Sequence, residues 1–186
     1  MHERLLDAAA AIIREQGHCA LSARTIADRL SLKRQIVHYY FETMDELIVQ
    51  LVRRSSAQAV AVLDSADMRA DPLRAIWRMS NDRDQALLAL ELAALAARRP
   101  AVREVVRQAA EATRAAQTRL LTDYLAARGL SATIDPEVAT IVLASLSYTM
   151  VQEDAVGITA GHEKLRSLVD ATLDQFLRTG RGTLPD

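Results

Sequence analysis

The sequence predicts an all-α protein of about nine helices. Its 186 residues include 33 Ala but only 6 Gly and 4 Pro, and alanine is the strongest helix former while glycine and proline are the weakest. Apolar residues recur at helical spacing along the chain, and no segment has the alternation of a half-buried strand. Half of the residues are hydrophobic and 25% are charged, as in an ordinary folded domain.

Caps and helix breakers predict four helices in the first third of the chain. Gly17 ends the first, and Ser22 is the N-cap of the second. A very tight turn separates the second from the third. Thr43 and Glu46 form a capping box that opens the fourth. The predicted helices cover residues 2–16, 22–30, 33–40 and 43–63.

Five further helices are predicted in the remainder. Asp71-Pro72 and Asp135-Pro136 each place an N-cap before a proline at the first helical position. Asn81 or Asp82 opens another helix, and Pro100 closes it. The remaining two helices cover residues 101–128, ending at a glycine, and residues 161–180, followed by a polar tail.

Composition and spacing argue against several classes of protein. Cys19 is the only cysteine, and the four histidines are scattered, without metal-ligand, nucleophile-elbow or phosphate-loop spacing. We therefore expect no enzyme activity, no cofactor and no metal. Cys19 is predicted to be a small buried residue rather than a redox sensor. The longest uncharged run, residues 138–152, is too short to cross a bilayer, and no signal peptide precedes it, so a soluble cytoplasmic protein is expected.

The second and third helices form a helix-turn-helix pattern. Residues 22–41 carry four basic side chains and one acidic side chain, a net +3, whereas the whole chain has a net charge of −1. Lys33, Arg34 and Gln35 begin the third helix, and arginine and glutamine are the side chains that read guanine and adenine edges. DNA binding is therefore predicted; the alternative is a solvated face of a small bundle.

The N-terminal residues resemble the DNA-binding domain of TetR-family transcriptional regulators. The matching positions are RLLDAA at 4–9, Gly17, Leu21-Ser22, Ile26-Ala27, Leu32, HYYF at 38–41 and DEL at 45–47. The resemblance implies a helix-turn-helix DNA-binding domain at residues 1–47 and a helical effector-binding and dimerisation domain at residues 48–186. The second part matches in architecture only.

The resemblance also implies roles for individual residues. Base-facing positions of the family correspond to Arg24, Arg34, Gln35 and His38. Phosphate-facing positions correspond to Ser22, Lys33, Tyr39 and Thr43. Tyr40 and Phe41 are expected to pack against the first helix instead.

The sequence departs from the family pattern in four places. Ser31 replaces the glycine of the turn, His38 replaces a tyrosine, and Met44 replaces a lysine. The start of the third helix, residues 33–36, also differs from the family's small residues. Operator affinity is therefore expected to depend more on Lys33 and Arg34, and the operator sequence cannot be inferred by analogy.

The larger domain has the residue types of a small-molecule site, with a plain hydrophobic core as the alternative. The candidate ligand-binding residues are Trp77, Met79, Leu88, Glu91, Leu92, Leu95, Tyr124, Tyr148 and Gln152. An inward-pointing Glu91 would favour a cationic or hydroxylated ligand. Pairing of Glu91 with an arginine at the surface is the alternative.

The last two helices are predicted to form a homodimer interface, with burial inside one monomer as the alternative. Residues 138–152 are apolar almost all round and include small side chains at 139, 144, 145 and 147. The final helix has a broad apolar stripe: Leu165, Leu168, Val169, Thr172, Leu173, Phe176 and Leu177. A two-fold dimer would bind a palindromic operator.

Together with these patterns, the resemblance implies a homodimeric repressor that a small-molecule effector releases from double-stranded DNA. One alternative is a helical DNA-binding regulator controlled by a protein partner. Another is a helical interaction module without DNA binding, for which the departures at His38 and Met44 offer slight support.

Overall fold

The computed structural model describes residues 1–130 and 134–179. These residues form ten α-helices and one 3₁₀ turn, with no strand. The all-α prediction is confirmed. The helices are α1 (His2–Gln16), α2 (Ala23–Arg29), α3 (Arg34–Tyr40), α4 (Met44–Leu63), α5 (Ala66–Ala70), α6 (Pro72–Ser80), α7 (Arg83–Ala96), α8 (Pro100–Ala127), α9 (Pro136–Ala155) and α10 (His162–Thr179), and the 3₁₀ turn is His18–Ala20.

Local capping explains where several helices begin. The Thr25 N–H donates to Ser22 Oγ at 3.1 Å, and the Ser22 N–H donates to Thr25 Oγ1 at 3.0 Å, which completes a capping box at α2. Asp71 accepts from the Arg74 N–H at 3.2 Å, and Asp135 accepts from two N–H groups of α9. The predicted helix starts at both Asp-Pro pairs are confirmed.

The box at α4 is offset by one residue from the predicted one. The Glu46 N–H donates to Thr43 Oγ1 at 3.0 Å, as expected. The Glu46 side chain instead accepts from the Glu42 N–H at 2.8 Å. The helix therefore keeps its predicted start, but the Glu46 side chain accepts from the N–H of Glu42 instead of that of Thr43.

Two short elements were not predicted, and the described residues form ten α-helices where about nine were predicted. The 3₁₀ turn and α5 have three and five residues, too few to produce a periodic apolar pattern. Pro100 was predicted to close the helix before it, and in the structure it is also the first residue of α8. Proline is tolerated there because the first N–H groups of a helix have no intrahelical acceptor. The predicted polar tail lies outside the described residues.

The first compact unit, unit 1, comprises residues 1–59 and 84–112. Its core is a single apolar cluster to which α1–α4, α7 and the beginning of α8 contribute. Fully buried members include Leu5, Ile13, Ile26, Leu47 and Leu51. The three N-terminal helices are therefore packed as part of a larger core.

The second compact unit, unit 2, comprises residues 60–83 and the described part of 113–186. Its core includes Leu63, Ile76, Trp77, Leu121 and Phe176, and α9 packs against α6. Arg74 of α6 lies 2.6 Å from Asp174 and 3.5 Å from Asp170, so ion pairs join α6 to α10. Helices α6, α9 and α10 thus form a connected framework in unit 2.

The compact units do not end where the sequence places the functional boundary. Residues 47 and 48 both lie inside α4, which continues without interruption to Leu63. Unit 1 recruits α7 and the start of α8 because their apolar residues complete its core. The boundary as a division of function stays a prediction. None of the helices in residues 1–130 and 134–179 has the length and apolar character of a membrane span.

Candidate nucleic-acid interface

Helix α3 is anchored by one face and exposes the other. Val37 and the following Phe41 are both 1% exposed and belong to the core of unit 1. Arg34, Gln35 and His38 lie on the opposite face and are exposed. The predicted base-facing residues of this helix therefore share one solvent-facing surface.

The turn between α2 and α3 is tight despite having no glycine. Ser31 adopts φ +55°, the left-handed conformation that glycine tolerates best. The Leu32 N–H donates to the Ala27 carbonyl at 2.8 Å and closes the turn. Serine therefore provides the predicted turn at a conformational cost.

Arg34 and His38 are one helical turn apart and contact each other. Arg34 Nε donates to His38 Nε2 at 3.3 Å. The two terminal nitrogens of Arg34 make no hydrogen bond to any other described residue. They remain available for the bidentate contact that arginine makes with guanine.

The phosphate-facing candidates divide into free and engaged groups. Tyr39 is 82% exposed, with its ring edge-on to Tyr40 at a centroid distance of 5.1 Å. Lys33 is exposed at the N-cap of α3. Ser22 and Thr43 are helix caps whose hydroxyl oxygens accept backbone N–H groups. The Ser22 hydroxyl also lies 3.0 Å from Thr25 Oγ1, whereas the hydroxyl proton of Thr43 can still be donated to a phosphate oxygen.

Positive charge remains unpaired at the beginning of α3. Arg29 is tied to Glu15 by hydrogen bonds of 2.7 and 2.6 Å, which hold the pKa of Glu15 below its usual value. Arg24 lies 3.6 Å from Asp28. Lys33 and Arg34 have no carboxylate partner among the described residues. Of the four basic residues in the pattern, these two offer the least neutralised charge to a phosphate backbone.

Tyr40 and Phe41, at the C-terminal end of α3, contact the first helix. The His2 ring lies 4.9 Å from the Phe41 ring and 6.2 Å from the Tyr40 ring. The expected packing of Tyr40 and Phe41 against α1 is confirmed, because His2 belongs to that helix. Met44 also packs on the core of unit 1, where a lysine would not.

A histidine–carboxylate pair joins the 3₁₀ turn to α7 within unit 1. The His18 N–H donates to Glu91 Oε2 at 2.8 Å, and the His18 ring nitrogen Nδ1 contacts the same oxygen. Burial would raise the pKa of Glu91, but the hydrogen bonds from His18 lower it below its usual value. Sequence reasoning missed this pair because the residues are 73 positions apart.

The environment of Cys19 contradicts the sequence-based expectation. Cys19 is exposed, not buried. It lies in the 3₁₀ turn, which contains no buried residue and which the sequence did not reveal. The apolar periodicity of α1 ends before this turn, so it gave no information about which side chains face the core.

The candidate ligand-binding residues are distributed over both compact units. Unit 1 contains Leu88, Leu92 and Leu95 as core residues, together with Glu91 on the same helix. Unit 2 contains the buried Trp77 and Tyr124, the half-buried Met79, and the exposed Tyr148 and Gln152. The structure therefore does not gather these nine residues within one compact unit.

Two buried hydroxyl groups in unit 2 lack hydrogen-bond partners. Tyr124 Oη and Ser147 Oγ are both inaccessible to solvent and unpaired. Burial raises the pKa of Tyr124, and the Arg128 guanidinium lies 4.5 Å from the centroid of its ring. Unpaired buried polar groups are uncommon in folded proteins because each one costs free energy. No group of three potential metal-ligating side chains occurs in the described residues.

Residues 5–51 match the family of bacterial regulatory proteins called the tetR family. The N-terminal domain belongs to the TetR family. The resemblance that the sequence motifs indicated is thereby confirmed. The matched segment includes α2, α3 and the first part of α4, and it carries every DNA-binding candidate of this TetR-type domain. None of the curated proteins matches the chain.

Solved structures with the same fold cover nearly the whole chain. A transcriptional regulator from Rhodococcus sp. Rha1 is 23% identical, with a TM-score of 0.73 over 99% of each chain. A TetR transcription regulator from Haloarcula marismortui is 20% identical, with a TM-score of 0.71 over 94% of this chain and 96% of the other. The multidrug binding protein EbrR, solved with imidazole, is 28% identical, with a TM-score of 0.57 over 91% of this chain and 93% of the other.

Proposed function

We propose that the chain is a cytoplasmic transcriptional repressor that binds a palindromic operator as a homodimer and is released by a small-molecule effector. The observation that carries this proposal is the exposed face of α3 in a TetR-type domain. That face presents Arg34, Gln35 and His38, with Lys33 beside it. Arg34 would make the main base contact, and Lys33 and Tyr39 would contact phosphates.

The homodimer is supported by an exposed apolar stripe on α9. Val138, Ile141, Val142 and Tyr148 are 55%, 40%, 49% and 39% exposed, and their spacing places them along one side of the helix. Leu168 on α10 is also exposed. The opposite side of α9 packs in unit 2 through Leu143, Ser147 and other residues. A second copy of the chain would cover this apolar stripe in a two-fold arrangement.

The predicted apolar stripe of α10 divides in the same way. Val169, Leu173 and Phe176 belong to the core of unit 2, and Leu165 packs against that core. Leu168 is the exposed member, and the side chain of Leu177 lies outside the described residues. We therefore assign most of the dimer interface to α9 and a smaller share to α10.

An effector site in unit 2 is supported by the unpaired hydroxyl groups of Tyr124 and Ser147. A ligand with polar groups could satisfy one or both of them while its apolar part contacts Trp77 or Met79. Glu91, whose carboxylate pairs with His18 in unit 1, is not needed for this site. The complex of EbrR with imidazole supports the choice of a small molecule as effector.

Release would follow from different affinities of two conformational states for DNA. The effector would favour a state in which the two α3 helices of the dimer no longer match successive major grooves. By linkage, operator DNA would then weaken effector binding by the same factor. An effector that strengthens operator binding would contradict the repressor assignment.

Selection of bound fragments from the source genome tests the proposed function directly. Purified protein is incubated with the fragments at two salt concentrations, and retained fragments are sequenced. A palindrome that survives the higher salt supports specific binding by a dimer, because non-specific binding depends mainly on phosphate contacts that salt weakens. Diffuse binding that disappears at higher salt would contradict the proposal. A ligand-dependent shift of the melting temperature then separates a small-molecule effector from control by a protein partner.

A further inference from the structure

A cavity of about 260 Å³ lies in unit 1, in a different unit from Tyr124. It is formed by the 3₁₀ turn, the residue that follows this turn, the C-terminal end of α7, and Arg98 and Arg99, which follow that helix. Leu21, Ala94 and Leu95 provide its apolar lining. The volume is slightly below the range of about 300–1,000 Å³ that is usual for drug-sized ligands. The cavity therefore fits a small molecule.

The charged residues at the cavity leave one positive charge without a partner. His18 is paired with Glu91, and Arg99 is paired with Asp45 at 2.6 Å. Arg98 also lines the cavity, and its guanidinium makes no ion pair or hydrogen bond within the described part of the chain. A single monoanion would balance this charge.

We propose that this cavity binds a small organic carboxylate with a short apolar body. The carboxylate would accept two hydrogen bonds from the planar guanidinium of Arg98, a geometry that gives arginine its preference for carboxylates. The apolar body would cover Leu21, Ala94 and Leu95. A neutral molecule of the same shape would gain the apolar contacts but leave Arg98 without an acceptor.

The position of the cavity connects it to the helix-turn-helix. Leu21 lines the cavity and directly precedes Ser22, the N-cap of α2. An occupant would therefore contact the segment that leads into the DNA-binding helices. Any effect of the carboxylate on operator affinity depends on the proposed function, whereas its binding to the cavity does not.

Cys19 provides a direct readout of occupancy. Cys19 lines the cavity, is exposed, and carries the only thiol in the chain, so alkylation by iodoacetamide reports on this place alone. The probes are benzoate, its neutral counterpart benzamide, and sulfate, an anion without an apolar body. At ten times its dissociation constant, benzoate should slow alkylation about tenfold, since only unoccupied protein reacts. Benzamide and sulfate should have little effect.

Substitutions at Arg98 separate binding from general effects of the probes. Arg98→Ala should abolish protection by benzoate, and Arg98→Lys should retain part of it because the charge remains while the bidentate geometry is lost. Arg53→Ala, which removes an exposed arginine from α4, serves as the matched control and should leave protection unchanged. Far-ultraviolet circular dichroism checks that each variant is folded.

Three results would overturn the proposal: no protection of the wild type by benzoate, equal protection by benzamide, or full protection in Arg98→Ala. The measurement contains no DNA, so its outcome is independent of the operator experiment. A protected Cys19 in a protein that fails to select a palindrome would support the carboxylate site while contradicting the proposed repressor. The reverse pattern would contradict the carboxylate site alone.

Discussion

Helices α3 and α9 each bury one side and expose the other, but their exposed sides differ in chemistry. α3 is anchored in unit 1 by Val37 and presents Arg34, Gln35 and His38. α9 is anchored in unit 2 by Leu143 and presents valine, isoleucine and tyrosine side chains. One exposed surface suits a polyanion with polar base edges, and the other suits an apolar partner surface.

The difference shows how a partner can be inferred from exposed side chains rather than from buried ones. Both anchoring faces bury mainly apolar side chains and contain no information about the partner. A charged surface gains little from covering by a second copy of itself, since like charges repel. An apolar stripe gains free energy by removing area from water, at about 25 cal/mol per Å². We therefore assign DNA to α3 and self-association to α9.

The largest expected effect comes from placing a charge in the α9 stripe. In a dimer, Val142→Glu would bury one carboxylate from each subunit without a partner, and an unpaired buried charge costs about 3–5 kcal/mol. The variant should sediment as a monomer at concentrations where the wild type is a dimer. Operator affinity should fall with it, because one subunit reaches only one half-site.

Val62→Glu is the matched control for this prediction. Val62 is 50% exposed at the end of α4, and Val142 is 49% exposed, so the two substitutions add the same charge at equally accessible positions. Val62→Glu should remain dimeric. If Val142→Glu were also dimeric, the apolar stripe of α9 would not be the interface, and the assignment of self-association to α9 would be wrong.

The next effect concerns base recognition by α3. Arg34→Ala should weaken operator binding by about 1–3 kcal/mol and relax the preference at one base pair of each half-site, because a bidentate guanine contact is lost. Lys33→Ala should instead weaken binding to all sequences and reduce the dependence of log K on log salt concentration by about one. Titrations on operator and scrambled DNA at several salt concentrations distinguish these patterns. A uniform loss in both variants would mean that Arg34 contacts only phosphates.

Local signals in the sequence account for most of the fold. The Asp-Pro pairs, the Ser22 cap and Gly17 act within a few residues, so the sequence predicts the helix starts and ends that they control. The DNA-binding face of α3 could also be predicted from the sequence, because the residues that carry its charge excess and its family motifs are contiguous. Short elements such as α5 escaped prediction since five residues contain little more than one helical turn.

Other features were not predictable, because they depend on residues far apart in the chain or on a turn without a sequence pattern. His18 and Glu91 meet across 73 positions, and neither has a local signal for the other. The exposure of Cys19 depends on a 3₁₀ turn with no sequence pattern. Helical spacing grouped Leu88 and Tyr124 as one ligand site, although their side chains belong to the cores of different units.

A smaller effect concerns the stabilisation of unit 1 by the pair of His18 and Glu91. Glu91→Gln should lower the free energy of unfolding at neutral pH by about 1–2 kcal/mol, because hydrogen bonds to a charged acceptor are weakened. The pKa of Glu91 is lowered in the folded state, so the carboxylate stabilises the protein above its unfolded-state pKa of about 4.3. This contribution is lost as the pH falls through the folded-state pKa.

Urea unfolding of wild type and Glu91→Gln at neutral and acidic pH measures this dependence. The difference between the two proteins should shrink as the pH falls below that window. Glu42→Gln is a suitable control, since Glu42 is exposed and its carboxylate has no partner within the described residues. A difference of constant size down to strongly acidic pH would show that Glu91 acts through packing rather than through its charge.

The smallest effect concerns the turn that sets the position of α3. Ser31 has φ +55°, where a side chain costs free energy that glycine avoids. Glycine also gains more entropy on unfolding, so the net stabilisation by Ser31→Gly should be about 0.5–1 kcal/mol. Ser167→Gly, at an exposed position inside α10, should destabilise by a similar amount because the helix has no such strain to relieve. Opposite signs for the same substitution at these two positions, measured by thermal unfolding, would establish that the α2–α3 turn stores strain, whereas equal destabilisation would show that Ser31 is fully accommodated.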